Sequence, residues 1–208
     1  IKLTIKVKRQ IVADDLPLGS YDVSNVGNHL TPEEFNAALE DKDAVVVDVR
    51  NHYESRIGAF EGALKPDADT FREELPLIAD MLKGKEDAKV LLYCTGGIRC
   101  EKASALFRSK GFKSVFQLHG GIVTYQKAFG NEHWLGECFV FDQRMTVKVP
   151  ENLKLISKCA HSGRLTTRFV NCRNPKCNEL YLLAEETEQE NPDTRFCLAC
   201  LSKGMTAE

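Results

Sequence analysis

The sequence predicts an α/β protein built on a parallel sheet with helices on both faces. Strand-like apolar runs alternate with helical patterns from residue 31 to residue 129. The runs at residues 44–49 and 90–93 are apolar almost throughout, as in strands covered on both sides. The second run delivers a thiol into a glycine-bearing turn, Cys94-Thr95-Gly96-Gly97-Ile98-Arg99, and a helical run follows at once.

Each element has its own signal. Ile1, Leu3, Ile5 and Val7 alternate with Lys2, Thr4, Lys6 and Lys8, the period of a half-exposed strand. It is either the last strand of an upstream domain or an edge strand of the main sheet. Residues 14–28 form a polar, Pro- and Gly-bearing connector. Thr31 caps the next helix, Pro32 occupies its first turn and Glu34 completes a capping box, with Phe35, Ala38 and Leu39 on the apolar face. The strand at 44–49 is interrupted only by Asp48. Phe71, Leu75, Ile78 and Leu82 are at helical spacing within residues 70–83. After the strand at 90–93, residues 101–110 read as a helix stopped by Gly111, a natural C′ residue. A strand at 114–118 and a helix at 121–129 complete the pattern.

In parallel sheets, ligands bind beyond the carboxyl ends of the strands. Asp48-Val49-Arg50, the Cys94 loop and His119-Gly120-Gly121 all fall at such ends, so one rim is expected to carry the site. A cysteine between strand end and helix start meets unpaired backbone N–H groups and the positive end of a helix dipole, and both favour thiolate. Gly96 and Gly97 let those N–H groups turn inward as an anion-holding nest, and Arg99 offers a cationic fork to close it. The plain alternative is a buried structural cysteine in an ordinary turn. Asp48 and Arg50 are expected to pin the loop by an ion pair or backbone hydrogen bonds. His119 is either an acid–base group near the rim or a residue that caps a helix or meets solvent. Cys100 either resolves an oxidised Cys94 as a disulfide or packs as a small apolar side chain.

The 208 residues suit one domain of average size plus a smaller appendage. No apolar run approaches the roughly 20 residues of a membrane span, so no membrane partner is expected. The chain opens at Ile1 without a signal-like segment; a cytoplasmic location is expected, with targeting left open at that end. A net charge of −2 argues against a uniformly basic nucleic-acid binder. The charge is nevertheless segregated: residues 143–178 carry eight Lys/Arg against Glu151 alone, and residues 179–193 carry six carboxylates and no base. That pattern marks either a surface for a polyanion or two solvated faces of a small domain.

Eight cysteines are too sparse for a disulfide scaffold. Cys172-x4-Cys177 and Cys197-x2-Cys200 instead have the spacing of two zinc knuckles, a structural tetrathiolate able to fold a short segment; the alternative is that these cysteines are free or disulfide-bonded. Cys159 and His161 complicate the count, because either one can substitute for a member of the four.

Asp48-Val49-Arg50-Asn51-His52-Tyr53-Glu54, Gly58-Ala59-Phe60-Glu61-Gly62-Ala63, the Cys94 loop and Leu118-His119-Gly120-Gly121 together resemble a rhodanese domain. Tyr93-Cys94-Thr95-Gly96-Gly97-Ile98-Arg99-Cys100-Glu101-Lys102-Ala103-Ser104-Ala105 is similar, more narrowly, to the tRNA uridine hydroxylase (TrhO) family of rhodanese-like proteins. Asp69-Thr70-Phe71-Arg72-Glu73-Glu74-Leu75-Pro76 and Phe139-Val140-Phe141-Asp142-Gln143-Arg144-Met145 fit the same family; the likeness thins through the tail.

The resemblance implies a rhodanese sheet of about five strands at residues 29–135, and an upstream ferredoxin-like domain whose closing strand and connector are residues 1–28. A basic, Cys-rich segment would then occupy residues 136–208. It implies oxygen-dependent hydroxylation of the wobble uridine of tRNA to 5-hydroxyuridine, with the family cysteine at Cys94. The family often has a further Cys pair near Cys159, where this chain has Ser162. Rhodanese-like loops have six residues and their phosphatase relatives seven; Cys94 to Arg99 counts six, which suits a sulfur species better than a phosphate ester. A sulfurtransferase carrying a Cys94 persulfide from a sulfur donor is therefore the second expectation, and a non-catalytic interaction module the third. Neither flavin nor nicotinamide is expected.

Overall fold

In the computed structural model of the chain, the described residues are 7, 12–141, 145–147 and 154–206. The first part comprises β1 (Asn28–Leu30), α1 (Pro32–Leu39), β2 (Val45–Asp48), α2 (His52–Ile57), β3 (Gly58–Phe60), α3 (Phe71–Met81), β4 (Lys89–Tyr93), α4 (Ile98–Ser109), β5 (Ser114–Leu118) and α5 (Gly121–Phe129). Then follow β6 (Trp134–Gly136), β7 (Cys138–Phe139), β8 (Thr146–Val147), β9 (Phe169–Asn171), β10 (Leu180–Leu182), α6 (Glu185–Glu190), a 3-10 turn at Pro192–Arg195 and α7 (Leu198–Leu201).

The capping box at α1 forms as expected: Glu34 N–H donates to Thr31 Oγ1 at 3.2 Å, and Thr31 N–H to Glu34 Oε2 at 2.9 Å. Parallel strands run in the order β1-β5-β4-β2. Side-chain alternation along β4 divides the core. Val90, Leu92 and Cys94 pack with Phe71, Leu75 and Ile78 of α3 and with Cys100 and Phe107 of α4. Leu91 and Tyr93 pack on the opposite face with Phe35 of α1 and Ile122 and Tyr125 of α5. Helices thus cover both faces of the sheet.

Two expectations need correction, and a third lies largely outside the described residues. The end of the 14–28 connector and the two residues after it form β1, an edge strand paired with β5 through Asn28–Phe116 and Leu30–Leu118. Among the described residues the sheet has four strands, not about five. Leu64 adds a single parallel bridge to Val47, with Leu64 N–H on Val46 O at 2.8 Å and Asp48 N–H on Leu64 O at 2.9 Å. The next donor of that ladder would be residue 66, which is Pro66 and has no N–H, so the strand stops. Of the alternating segment at the start of the chain only Val7 is described, 98% exposed and outside any element; the rest of that expected strand lies outside the described residues.

The tail is tied to the sheet domain rather than hanging from it. β9 and β10 form an antiparallel pair. Leu182 and Phe169 pack with Ile57 and Tyr53 of α2 and with Phe139 of β7. The charge segregation resolves locally: Arg164 pairs with Glu190 at 2.9 Å, and Glu188 pairs with Arg168 at 2.6 Å and with Arg195 at 3.4 Å. Lys154, Lys158, Arg173 and Lys176 have no carboxylate partner among the described residues.

Candidate active site

Cys94 follows the last residue of β4 and sits at the floor of a cavity of about 540 Å³, itself only 1% exposed. Gly97 caps α4 at φ +95°, a left-handed conformation that turns its N–H onto Cys94 Sγ at 3.1 Å. Gly96 has open space where a Cβ would stand, so Gly97 rather than Gly96 shapes the nest. The Gly120–Gly121 turn lies against the loop from below. Ile122 N–H donates to Cys94 O at 3.0 Å, and a Cβ on Gly121 would stand 2.5 Å from Thr95 O and 2.6 Å from Cys94 O.

The neighbouring Cys100 side chain is the strongest influence on Cys94; the Arg99 charge and the backbone N–H groups of Cys100 and Arg99 act in the same direction. Together they overcome burial, which alone pushes a thiol up, and bring Cys94 down to about 6. Cys100 is fully buried, and burial followed by the hydrogen bond to Cys94 raises its own thiol well above the ordinary value. It is a packed core residue beside the sulfur whose acidity it influences.

Arg99 departs from expectation. Its fork does not close over the sulfur. It binds Glu54 of α2 bidentately, Nη1 to Oε1 at 2.6 Å and Nη2 to Oε2 at 2.9 Å. Asn51 N–H and the Thr95 hydroxyl donate to the same carboxylate, at 3.2 Å and 3.0 Å, so fully buried Glu54 has two donors on each oxygen. Glu54 lies in the 48–54 motif, where local pattern assigns it no chemical role. The available signal was that a buried arginine in a loop requires a carboxylate.

Asp48 and Arg50 form a second buried pair, at 2.8 Å and 2.7 Å, and Arg50 also donates to Gly58 O at 2.6 Å. The pair therefore pins β3, and reaches the loop through Tyr93, whose hydroxyl donates to Asp48 at 2.7 Å. The Arg50 guanidinium also lies against Trp134, 5.3 Å from the ring centre. His119 is not brought to Cys94. Exposed beyond β5, it stacks edge-on with His29 at 5.8 Å. Ile98 stands at the cavity mouth, 54% exposed.

Glu74 of α3 lies within the 69–76 motif. It is 0% exposed with neither carboxyl oxygen hydrogen-bonded, and burial, reinforced by Asp48, pushes it up to about 9. Arg99 and Arg50 act in the opposite direction without overcoming burial, so Glu74 holds its proton at pH 7.

In the tail, ligand atoms of Cys172, Cys177, Cys197 and Cys200 all lie within 4.8 Å of one another. Cys177 Sγ and Cys197 Sγ are 3.7 Å apart, matching the edge of a tetrahedron whose metal–sulfur distance is about 2.3 Å. Asn174 Nδ2 donates to Cys200 Sγ at 3.2 Å and Cys197 N–H to Cys172 Sγ at 3.4 Å, the support that thiolate ligands need. The four fit a metal. Neither Cys159 nor His161 belongs to the group; Cys159 faces Ser162 N–H at 3.5 Å instead. All eight cysteines are free thiols. Among the described residues, no helix is long and apolar enough to cross a membrane.

Residues 31–128 match the rhodanese-like domain family, and residues 135–201 match the rhodanase C-terminal family. A tRNA uridine(34) hydroxylase of Leptospira interrogans serogroup Icterohaemorrhagiae serovar Lai is 50% identical over 187 residues, covering 88% of this chain and 50% of that protein. One from Salmonella arizonae is 44% identical over 184 residues, covering 86% of this chain and 52% of that protein. The chain thus spans about half the length of the curated relatives it matches. A rhodanese-like domain from Anabaena sp., solved by solution NMR, aligns with a TM-score of 0.44 at 18% identity, covering 64% of this chain and 94% of that chain. With its signature loop, its sheet and both family matches in register, the chain belongs to the rhodanese-like family and is a relative of the tRNA uridine(34) hydroxylases.

Proposed function

We propose that this chain is the rhodanese-like and C-terminal part of an enzyme that hydroxylates the wobble uridine of tRNA to 5-hydroxyuridine, one atom of molecular oxygen entering the ring and the other leaving as water with two electrons from an external reductant. Cys94 is the reacting nucleophile, held by the Thr95–Ile98 turn. Arg99 is a positioning residue that tunes it from its place on Glu54. One observation carries the choice among rhodanese chemistries. Among the described residues, the two cations lining the Cys94 cavity are already paired, Arg99 with Glu54 and Arg72 with Asp15 at 2.8 Å, so the cavity suits an uncharged ring better than an inorganic sulfur anion. The names of the relatives point the same way.

The domain division proposed is a connector ending near residue 28, a sheet domain at 29–135 and a tail at 136–208, with a further domain upstream, for which the longer relatives leave room. Zinc, held by Cys172, Cys177, Cys197 and Cys200, would tie the two knuckles of the tail together. Lys158, Arg173 and Lys176, without a carboxylate partner among the described residues, offer charge to the tRNA backbone. This work belongs in the cytoplasm, where thiols stay reduced.

A sulfurtransferase remains the second reading because the six-residue loop with a low thiol is shared by both activities. The test is complementation of cells lacking the protein with the full-length form or its Cys94→Ser variant, with tRNA nucleosides read by mass spectrometry. Loss of 5-hydroxyuridine with unchanged thiouridines is expected. Loss of thiouridines with unchanged 5-hydroxyuridine would replace hydroxylation by sulfur transfer.

A further inference from the structure

Phe141 stands at the mouth of the Cys94 cavity and is 65% exposed, an unusual position for a phenylalanine. It is held from two sides. Its ring lies 5.9 Å from the Arg99 guanidinium carbon, and it meets Phe139 edge-on at 5.2 Å. Phe139 in turn is buried against Tyr53 and Phe169 at 5.2 Å and 5.6 Å, so the aromatic chain behind Phe141 is anchored in both the sheet domain and the tail. Exposed Ile98 stands on the same mouth. An apolar entrance leads to a nucleophile past cations that are already neutralised.

From this geometry we infer that Phe141 is the stacking platform that receives an unpaired pyrimidine base at the entrance of the Cys94 cavity. The inference rests on the hydroxylation reading and names the residue that holds the base. Reacting at a ring carbon requires a base taken out of its stack, and an aromatic face replaces the lost stacking. An inorganic sulfur donor has no such face and gains nothing from the ring.

The competing role is a shield, with Phe141 only keeping water from Arg99 and so from the Cys94 charge. Two measurements on the full-length protein separate the roles. The first is binding of an anticodon stem-loop RNA with uridine, or an abasic nucleotide, at the wobble position, measured in a Cys94→Ser background. The second is the pH midpoint of Cys94 alkylation by iodoacetamide in the otherwise unaltered protein. Stacking predicts that Phe141→Ala weakens the uridine RNA by roughly 5- to 150-fold and leaves the abasic RNA unchanged. It also predicts that Phe141→Leu is as defective as Phe141→Ala, that Phe141→Trp binds like the parent, and that the alkylation midpoint stays put.

Binding restored by Phe141→Leu, a moved midpoint with unchanged binding, or equal losses for both RNAs would overturn the inference. Failure of the hydroxylation reading is seen separately, as absence of 5-hydroxyuridine from tRNA incubated with the unaltered protein. Failure of the stacking role alone would leave 5-hydroxyuridine formed as efficiently by Phe141→Ala.

Discussion

The Arg99 guanidinium of the nucleophile loop is clamped by the Glu54 carboxylate of α2, at 2.6 Å and 2.9 Å through two parallel bonds. The cation that attracts the Cys94 charge is therefore itself half-spent, and the strength of that attraction is set from a different element. Glu54→Gln should lower the Cys94 alkylation midpoint below about 6 by releasing the full Arg99 charge. It should also cost roughly 3–5 kcal/mol of stability, because a buried charge loses its partner. Arg99→Gln should move the midpoint up. Chemical denaturation and iodoacetamide rates across pH read both effects, and midpoints unmoved in both variants would show that Arg99 does not tune the sulfur.

Cys100 should act through its S–H. Cys100→Ala removes the leading donor to Cys94 and should move the alkylation midpoint from about 6 toward the ordinary thiol range. Cys100→Ser keeps a donor and should stay near the parent value. If alanine and serine behave alike, the hydrogen bond between the two side chains has no role in the acidity.

Glu74 makes stability depend on pH in an unusual direction. Its carboxyl is raised to about 9 in the folded chain, whereas an unfolded glutamate titrates at about 4.3. The folded state therefore holds the proton more tightly, and stability is full below the lower value and falls as pH rises toward the upper one. Glu74→Gln removes this dependence. Its advantage over the parent in urea denaturation should grow between pH 5 and pH 9, reaching on the order of a few kcal/mol at pH 8. A difference that stays flat with pH would mean that Glu74 is solvated after all.

Gly121→Ala should disrupt the loop without touching a reacting atom. A Cβ there would meet Thr95 O, Cys94 O and Gly96 N at 2.5, 2.6 and 2.7 Å, all backbone, in a residue at φ +65°. A loss of roughly 2–4 kcal/mol is expected, with slower Cys94 alkylation at neutral pH. Parent-like melting and alkylation would show that the loop and the Gly120–Gly121 turn are not in contact.

The purified chain should carry one equivalent of zinc by elemental analysis. Cys172→Ser should lose it and Cys159→Ala should retain it. Chelation should expose residues 154–206 to protease while residues 31–129 resist, since metal binding supplies much of the folding free energy of such a segment. Zinc retained by Cys172→Ser, or lost from Cys159→Ala, would redraw the ligand set.

Local signals were legible wherever the chain answers to its immediate neighbours. The helix at 121–129 and the strand at 114–118 appear at their expected bounds, because periodicity and flanking glycines act within a few residues. β1 was hidden because three residues are too few to show a period, and its existence depends on β5, some 80 residues later. The fifth strand failed for a reason that was present locally, the missing donor of Pro66, but which pairs it would have joined was not. In the tail, spacing alone grouped the four cysteines, and geometry then separated Cys159 and His161 from them.

The order of residues alone determined the sheet type, the capped helices, the place of Cys94 between strand and helix, and the tail cysteines, since these follow from steric and hydrogen-bonding preferences along the chain. Folding decided which charge faces which. Arg99 went to Glu54 rather than to the sulfur, His119 turned away to His29, and Phe141 came to stand over the entrance. Burial is the physical reason: once a guanidinium leaves water it binds the best carboxylate within reach, and what is within reach is fixed only when distant segments pack.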